Sequence, residues 1–485
     1  MTTYDADGIT MQKVREHVWE IPQEGEMGAP ARVLASEALL EEIADDRTLQ
    51  QLTNATQLPG VQKQALCMPD GHQGYGFPVG GVAGIDAESG CISPGAVGFD
   101  INCGVRMVRT NLTYGDVEGK ERELVEELFE AIPLGLGGGG VLETDVGTVE
   151  AVLERGVDWA REAGYATAED LAHCEDEGRR EEADADAVSG NAKDRGKDQL
   201  GSLGSGNHFL EVQRVTDVFR AEVADAYGLS EEDIVVLIHC GSRGLGHQVC
   251  TDYVRRIEET HPDLLDELPD KDLAAAPAGS DLAEEYYRAM GAAINFAWVN
   301  RQLITHRTRQ AFEEVFDTDW GDLGMELLYD VAHNIAKKET HDIDGEDREL
   351  YVHRKGATRA FPAGRPEVPD AYREVGQPVI IPGSMGAGSY VLRGGEDSLE
   401  QTFGSTAHGA GRTMSRTQAK QDFWGEDVQD DLEGQQVYVK AQSGATIAEE
   451  APDVYKDVDE VVRVSEALGI GDPVARTFPV CNIKG

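Results

Sequence analysis

The sequence predicts an α+β fold made as one large compact domain, with β-sheets at the centre and helices around them. Three observations lead there. The chain has 485 residues, of which 40% are hydrophobic and spread along its whole length, so a substantial core is available. Apolar runs of strand length alternate with glycine-rich loops and amphipathic helical stretches, the pattern of mixed α and β structure. No repeat of fixed period appears, and no linker divides the motifs, so residues 1–485 are read as a single domain.

Taken in order, His17 to Ile21 reads as a short strand and Ser36 to Leu52 as a helix capped by Ser36 ahead of an acidic turn. Cys67 to Gly84, CMPDGHQGYGFPVGGVAG, carries enough Gly and Pro to read as loop. Its Asp70 and His72 are assigned to turn chemistry ahead of a direct catalytic role. Val105 to Asn111 is a strand. Gly119 to Ile132 is a helix whose stripe is Leu124, Leu128 and Ile132, and 148–163 is another amphipathic helix. Between them lies the loop GLGGGG at 135–140. The acidic segment 175–199 is nearly all charged or small and is expected to be exposed, partly mobile and without catalytic duty. Leu200 to Val212 runs from a glycine loop into a strand. Ile234 to Ile238 is a buried strand delivering His239 to a glycine turn, a common place for a site. Asp281 to Phe316 is a long helical region, with a break expected near Gly291.

Charge sets this chain apart. Asp and Glu number 90 against 43 Lys and Arg, a formal net charge of −47, with acid scattered over nearly every surface-like segment. Such self-repulsion is relieved by concentrated salt, where the Debye length falls to about 3 Å at 1 M. The composition therefore reads as halophilic, from a salt-rich cytosol, with folding expected to need molar salt. A disordered acidic protein is excluded by the alternating apolar runs and glycine motifs. The global charge argues against nucleic acid in an ordinary protein, but in a salt-adapted one local arginine clusters decide. Seven cysteines without a CxxC pair suit a reducing compartment. The N-terminus has no apolar core of a signal peptide, and no run of 18 apolar residues exists, so a cytoplasmic protein without a membrane span is expected.

The stretch Gly98 to Arg106, GFDINCGVR, puts the hard oxygen of Asp100 three residues before the soft sulfur of Cys103, between glycines at 98 and 104. Such a pair suits a borderline divalent ion such as Mn or Zn. Its bland alternative is a turn beside a buried thiol. Most of the 12 histidines, such as His173, His261 and His341, sit in contexts that read as exposed. His208, His239 and His333 lie instead in glycine-rich or strand-end settings. With Asp100 and Cys103 they make five N, O and S donors, more than the three protein ligands of one catalytic zinc, and enough for two ions sharing a thiolate. A second group suits phosphate. PGSMGAGS (382–389) and HGAGR (408–412) expose backbone N–H groups that can cradle anions, though neither is a Walker loop. Arg243, Arg354, Arg359, Arg412 and Arg416 lie in such loops and suit bidentate phosphate contacts, unless they pair with the abundant acids. His408, inside a glycine loop, reads equally as a phosphorus-attacking nucleophile or a further metal ligand.

GFDINCGVR, GSGNHFLEV, HCGSRGLGH, YDVAHNIAKKE, HRKGATRA, IPGSMGAGSYVL and HGAGRTMSR, in that order, resemble the RtcB family of RNA-splicing ligases. The resemblance runs from about Cys67 to Gly485. It implies a GTP- and Mn(II)-dependent enzyme that joins RNA ending in a 3′-phosphate or 2′,3′-cyclic phosphate to RNA with a 5′-hydroxyl, such as tRNA exon halves. It also implies that Asp100, Cys103, His208, His239 and His333 hold two Mn ions with Cys103 bridging, and that His408 takes GMP from GTP. The guanylate pocket implied is Asn207, His208, Phe209, Leu210, Glu211, His333, Asn334, Pro382, Gly383, Ser384, Met385, Ser389, His408, Gly409, Ala410, Gly411, Tyr455 and Lys484. Of these, Glu211 and Lys484 would read guanine. Arg243, Arg354 and Arg412 are the candidates for RNA phosphate. An archease-type activator protein is the implied partner, and a monomer is expected. A metal-dependent phosphoesterase lacking a nucleotide intermediate, and a non-enzymatic RNA-binding scaffold, are the alternatives that guanylylation and metal analysis would separate.

Overall fold

The long Asp281–Phe316 helix shows how this chain builds its core. It is 36 residues long and unbroken, and Ser280 caps it by accepting from the Ala283 N–H. The break expected at Gly291 does not occur. A Cβ there would lie 3.3 Å from the Ala183 Cα, so the glycine serves close approach to a neighbouring segment. The computed structural model describes residues 2–135 and 139–485, so residues 136–138 of the 135–140 loop lie outside the described residues.

Two large sheets make the α+β scaffold as one compact domain. In the first, the strands Thr3–Ala6, Ile9–Arg15, Val18–Ile21, Ala31–Leu34, Val61–Tyr75, Phe77–Asp86, Glu346–Lys355 and Asn334–Ile343 follow one another across the sheet. In the second the order is Glu326–Ala332, Gly104–Thr113, Asp233–Cys240, Phe209–Val218, Gly471–Lys484, Ser389–Gly394 and Pro378–Ile381, with Tyr438–Ala441 pairing parallel to Gly471–Lys484. The two sheets are joined in sequence at one residue. Glu326–Ala332 ends the second sheet, Asn334–Ile343 begins in the first, and His333 lies between them.

Several expectations are corrected. Cys67 to Gly84 is not loop but the core of two long paired strands, Val61–Tyr75 and Phe77–Asp86. The register slips between Cys67 and His72, where the pairing is irregular. The glycines that suggested loop permit tight packing inside a strand instead. The helix expected over 36–52 is two helices, Glu37–Ala44 and Thr48–Ala55, although Ser36 does cap the first. The helix expected over 148–163 is likewise divided, into Val146–Arg155 and Val157–Glu162, at Gly156.

The 175–199 segment is only partly exposed. Glu175, Ala185, Ala187, Val188, Ala192 and Lys193 are buried, and Gly190–Lys197 is a helix. Glu175 accepts from Lys337 Nζ at 2.7 Å and lies 3.3 Å from Arg359 Nε, while Asp176 sits 2.7 Å from the same lysine. Charge in sequence is therefore not exposure: these carboxylates go inside because cations from the strand Asn334–Ile343 and from Ala357–Arg359 meet them there. His341 is buried beside Glu339, and His173 and His261 are half-buried, so the exposed reading of these three also fails.

Candidate active site

Four strand ends of the second sheet converge. Gly104 pairs with Cys240 on one side and Ala332 on the other, and His239 pairs with Phe209. Cys103 precedes the first strand, His239 is the penultimate residue of the second, His333 follows the third, and His208 precedes the fourth. Antiparallel register thus brings four side chains distant in sequence to one sheet end. Asp100 joins them from the turn that opens at Gly98, whose φ of +102° favours glycine. At Gly104 a Cβ would lie 2.5 Å from the Val331 carbonyl oxygen, so only glycine lets the strands close beside Cys103.

The donors form two overlapping groups, Cys103 with His239 and His333, and Asp100 with Cys103 and His208, each set within 4.8 Å. Cys103 Sγ lies 3.2 Å from His239 Nε2 and 3.5 Å from His208 Nε2. His239 Nε2 lies 3.3 Å from His333 Nε2, and His208 Nε2 lies 2.9 Å from Asp100 Oδ2. Ligand atoms on one tetrahedral divalent ion at about 2.1–2.3 Å stand about 3.4–3.8 Å apart; the 3.5 Å pair matches and the other three are closer, so the atoms converge on a common point. Cys103 is common to both groups. The supporting contacts fit as well: His208 Nδ1 donates to the Leu203 carbonyl at 2.9 Å, leaving Nε2 for the centre.

Electrostatics divide the histidines: burial works against a charged His208, but Cys240, Cys103 and Asp100 hold it well above the usual histidine range, paired with Asp100. Burial, then the neighbouring imidazoles, holds His239 and His333 well below the usual histidine range, which keeps them neutral with lone pairs available. Burial works against ionised Asp100, but its bond to His208 prevails and lowers its pKa. Burial and then Asp100 push the Cys103 thiol up to about 11. A divalent cation reverses that penalty, because a coordinated thiol ionises.

His408 stands beside this cluster, its ring 4.7 Å from that of His333. It follows the strand Ser405–Ala407, which pairs with Ala357–Arg359. Its Nδ1 is 2.6 Å from Asp70 Oδ2, and the same oxygen accepts the backbone N–H groups of His408 at 3.1 Å and Gly409 at 3.2 Å. Asp70 is fully buried. An acceptor on Nδ1 puts the ring proton there and leaves the Nε2 lone pair free, the state a nucleophile needs. Asp70, read from sequence as a turn former, is therefore a positioning residue. His72, near the same centre, is pushed down to about 4 by burial.

One cavity of about 260 Å³ joins His408 to four of the five donors, with His208 and Asp70 buried behind its wall. Asp100, Cys103, His239, His333 and His408 line it together with Asn207, Phe209, Glu211, Asn334, Pro382, Gly383, Ser384, Met385, Gly409, Ala410, Gly411, Tyr455 and Lys484. Leu210 does not belong: strand alternation points Phe209 and Glu211 at the cavity and buries Leu210 in the opposite core. Ser389 stands behind the 382–385 loop, accepting the Gly383 N–H at 3.2 Å. Glu211 is buried, accepts from Gln213 and Asn482, and is raised to about 7 by burial in spite of Lys484.

The arginines divide. Arg412 and Arg416 line the cavity. Arg354 is fully buried, held by Glu339 at 2.6 Å and Ser405 at 2.8 Å, so the expected RNA-phosphate contact there is corrected. Arg359 is buried in the Glu175–Asp176 network. Arg243 is mostly buried behind the donor cluster, its Nη1 3.5 Å from His208 Nδ1. Sequence reasoning also missed Glu450. This fully buried carboxylate collects Arg412 at 2.9 Å, Lys484 at 3.1 Å and the Tyr455 hydroxyl, and so shapes one cavity wall. Nothing around EEAP at 449–452 marks it in sequence; Tyr455 is near in the chain, but the cations Arg412 and Lys484 come from 38 and 34 residues away.

Known proteins agree with the motifs. The family model for tRNA-splicing ligase RtcB matches residues 51–485. A tRNA-splicing ligase RtcB of Thermococcus kodakarensis is 52% identical over 478 residues, covering 98% of this chain and 99% of its own. One of Aeropyrum pernix is 50% identical over 481 residues, covering 98% of this chain and 100% of its own. One of Archaeoglobus fulgidus is 49% identical over 481 residues, covering 99% of each. With matches of this length and identity, the chain belongs to the tRNA-splicing ligase RtcB family.

Proposed function

We propose that this protein is a GTP- and Mn(II)-dependent RNA ligase that joins a 3′-phosphate or 2′,3′-cyclic phosphate end to a 5′-hydroxyl end, acting in tRNA splicing and in RNA repair. The observation that carries this reading is the pairing in one cavity of a carboxylate-held His408 with four of the five donors, Asp100, Cys103, His239 and His333. Family membership supports the RNA-joining part.

Asp100, Cys103, His208, His239 and His333 would hold two Mn ions. Bound there, such ions supply positive charge to phosphate oxygens. The chain's own residues do the rest. Asp70 keeps the His408 proton on Nδ1, so Nε2 attacks the α-phosphorus of GTP and pyrophosphate leaves. The resulting phosphoramidate carries GMP on Nε2, and Asp70 offsets the positive charge that develops on the ring. After water opens any cyclic end, a 3′-phosphate oxygen of RNA attacks that phosphorus. His408 leaves and an RNA–ppG end forms. The 5′-hydroxyl then attacks the 3′-phosphate phosphorus, expelling GMP. Glu211 and Lys484 read guanine, Tyr455 lies near the base, and the N–H groups of 382–385 and 409–411 cradle phosphate. Arg412 remains a candidate for RNA phosphate, and Arg243 acts by backing His208.

The setting proposed is a salt-rich cytoplasm, with the protein monomeric and helped by an archease-type activator. Among the described residues no helix is long and apolar enough to cross a membrane.

The test is incubation with α-labelled GTP and Mn(II) in molar salt. An acid-labile, base-stable label on the wild type, absent in His408→Ala, is expected. A label that persists in His408→Ala would sink the mechanism.

A further inference from the structure

On the rim of the cavity beside Asp100 runs a ladder of aromatic rings that the chemistry above does not use. Tyr75 sits at the tip between the strands Val61–Tyr75 and Phe77–Asp86 and is 50% exposed, unusual for so large a side chain. Its ring meets Phe99 edge-on, with centroids 5.2 Å apart at 62°. Phe99 stacks on His247, with centroids 4.9 Å apart at 26°. Phe99 lines the cavity and immediately precedes Asp100, so the ladder begins at the donor cluster and leads outward. His247 is exposed on the helix Arg243–Thr260. Lys355, another cavity residue, fixes the tip by donating from Nζ to the Tyr75 carbonyl oxygen at 2.5 Å.

The charges around the ladder select what it can hold. Asp270, Asp272 and Glu258 act on the Tyr75 hydroxyl. Phosphate is repelled there, while the uncharged face of a ring is not. Aromatic rings leading out of a nucleotidyl-transfer cavity, the outermost one half exposed, are what single-stranded nucleic acid stacks on. We propose that the Tyr75–Phe99–His247 ladder is the platform on which the terminal nucleobase of an RNA strand stacks as its end enters the cavity. This rests on the RNA-ligase reading and extends it by assigning the place of the strand end.

Tyr75 touches neither the proposed nucleotide pocket nor the metal donors, so Tyr75→Ala separates the two ideas. Expected is His408 guanylylation at the wild-type level with a KM for RNA about tenfold higher, and Tyr75→Phe close to wild type. An abasic nucleotide at one RNA end, tried at the 5′ end and the 3′ end separately, imposes a similar penalty on the wild type. That penalty disappears in Tyr75→Ala, which identifies the end that stacks. A 2-aminopurine at that end is quenched on binding to the wild type and not to Tyr75→Ala, a readout that requires no joining. The proposal is overturned if the KM is unchanged, if guanylylation falls in parallel with joining, or if the abasic penalty survives in Tyr75→Ala. Quenching without any His408 label would instead sink the ligase mechanism alone and leave the platform standing.

Discussion

Two buried polar clusters lie side by side in this protein and are built on opposite principles. In one, Arg106 and Arg301 converge on Asp330, with all three side chains fully buried. Arg106 Nε donates to Asp330 Oδ2 at 2.7 Å, and Arg301 binds both carboxylate oxygens at 2.9 and 2.7 Å. Charge is met by opposite charge, which is how a protein tolerates ions in its interior. In the other, Cys103, His239 and His333 direct acceptor atoms at one another across 3.2 to 3.3 Å, and Asp100 pairs with His208 at 2.9 Å. Acceptors facing one another in this way suit a cation between them. The two clusters are also connected: Arg301 Nη1 donates to the carbonyl oxygens of Asn102 at 2.8 Å and Cys240 at 2.7 Å, bracing the backbone that carries Cys103 and His239. The matched cluster is a strut, and the unmatched one is the receptor that the proposed function requires.

Removing one member of each cluster tests this contrast most strongly. Cys103→Ala takes the shared donor from both groups of the receptor, and RNA joining should fall about a thousandfold with loss of bound Mn by elemental analysis. Its apo form should melt close to the wild type, since no matched charge is lost; a large drop in apo melting temperature would show the thiol to be a strut. Asp330→Asn leaves two arginines without their counter-charge, and should cost about 4 kcal/mol in denaturant unfolding. Retention of wild-type stability there would undo the contrast from the other side.

Glu211 is a carboxylate belonging to neither type, buried among neutral partners with a pKa raised from 4.5 to about 7. Between those values the folded state keeps a proton that the unfolded chain has released, so stability falls as pH rises through the window, by about 3 kcal/mol in all. Glu211→Gln should flatten that part of the stability profile, read as the difference between the two unfolding curves. A smaller effect is expected at Asp70. Asp70→Asn can still accept the N–H groups of His408 and Gly409 but cannot offset charge on the ring. Guanylylation should fall about a hundredfold with the melting temperature nearly unchanged. Loss of folding along with activity would make Asp70 structural only.

Much of the site is legible in the chain's local patterns. GFDINCGVR carries two donors of complementary softness, and the strand-end setting of His239 needs only its own neighbours to see. Asp70 is not legible as the partner of His408, because 338 residues separate them and the surrounding glycines signal a turn more strongly than a strand. Glu450 is hidden because its cations Arg412 and Lys484 lie 38 and 34 residues away, outside any local window. Glu175 reads wrongly as exposed, and Arg354 as a phosphate contact, because charged side chains go inside when paired, a condition no local window displays.

Residue type and spacing therefore determine which chemistry is available to this protein: the mixed α and β class, the five donors, the glycine loops, the isolated His408 and an acid excess of 90 against 43. Each of these is a local property that the sequence carries unaided. Which of them act together is decided only by tertiary structure. Antiparallel register sets Gly104 against both Cys240 and Ala332, and so draws four strand ends to one point. The second sheet gives way to the first at His333, which sets Asp70 and His408 beside those ends. Pairing across hundreds of residues depends on which backbones can approach one another, and that is decided by the packing of the whole core.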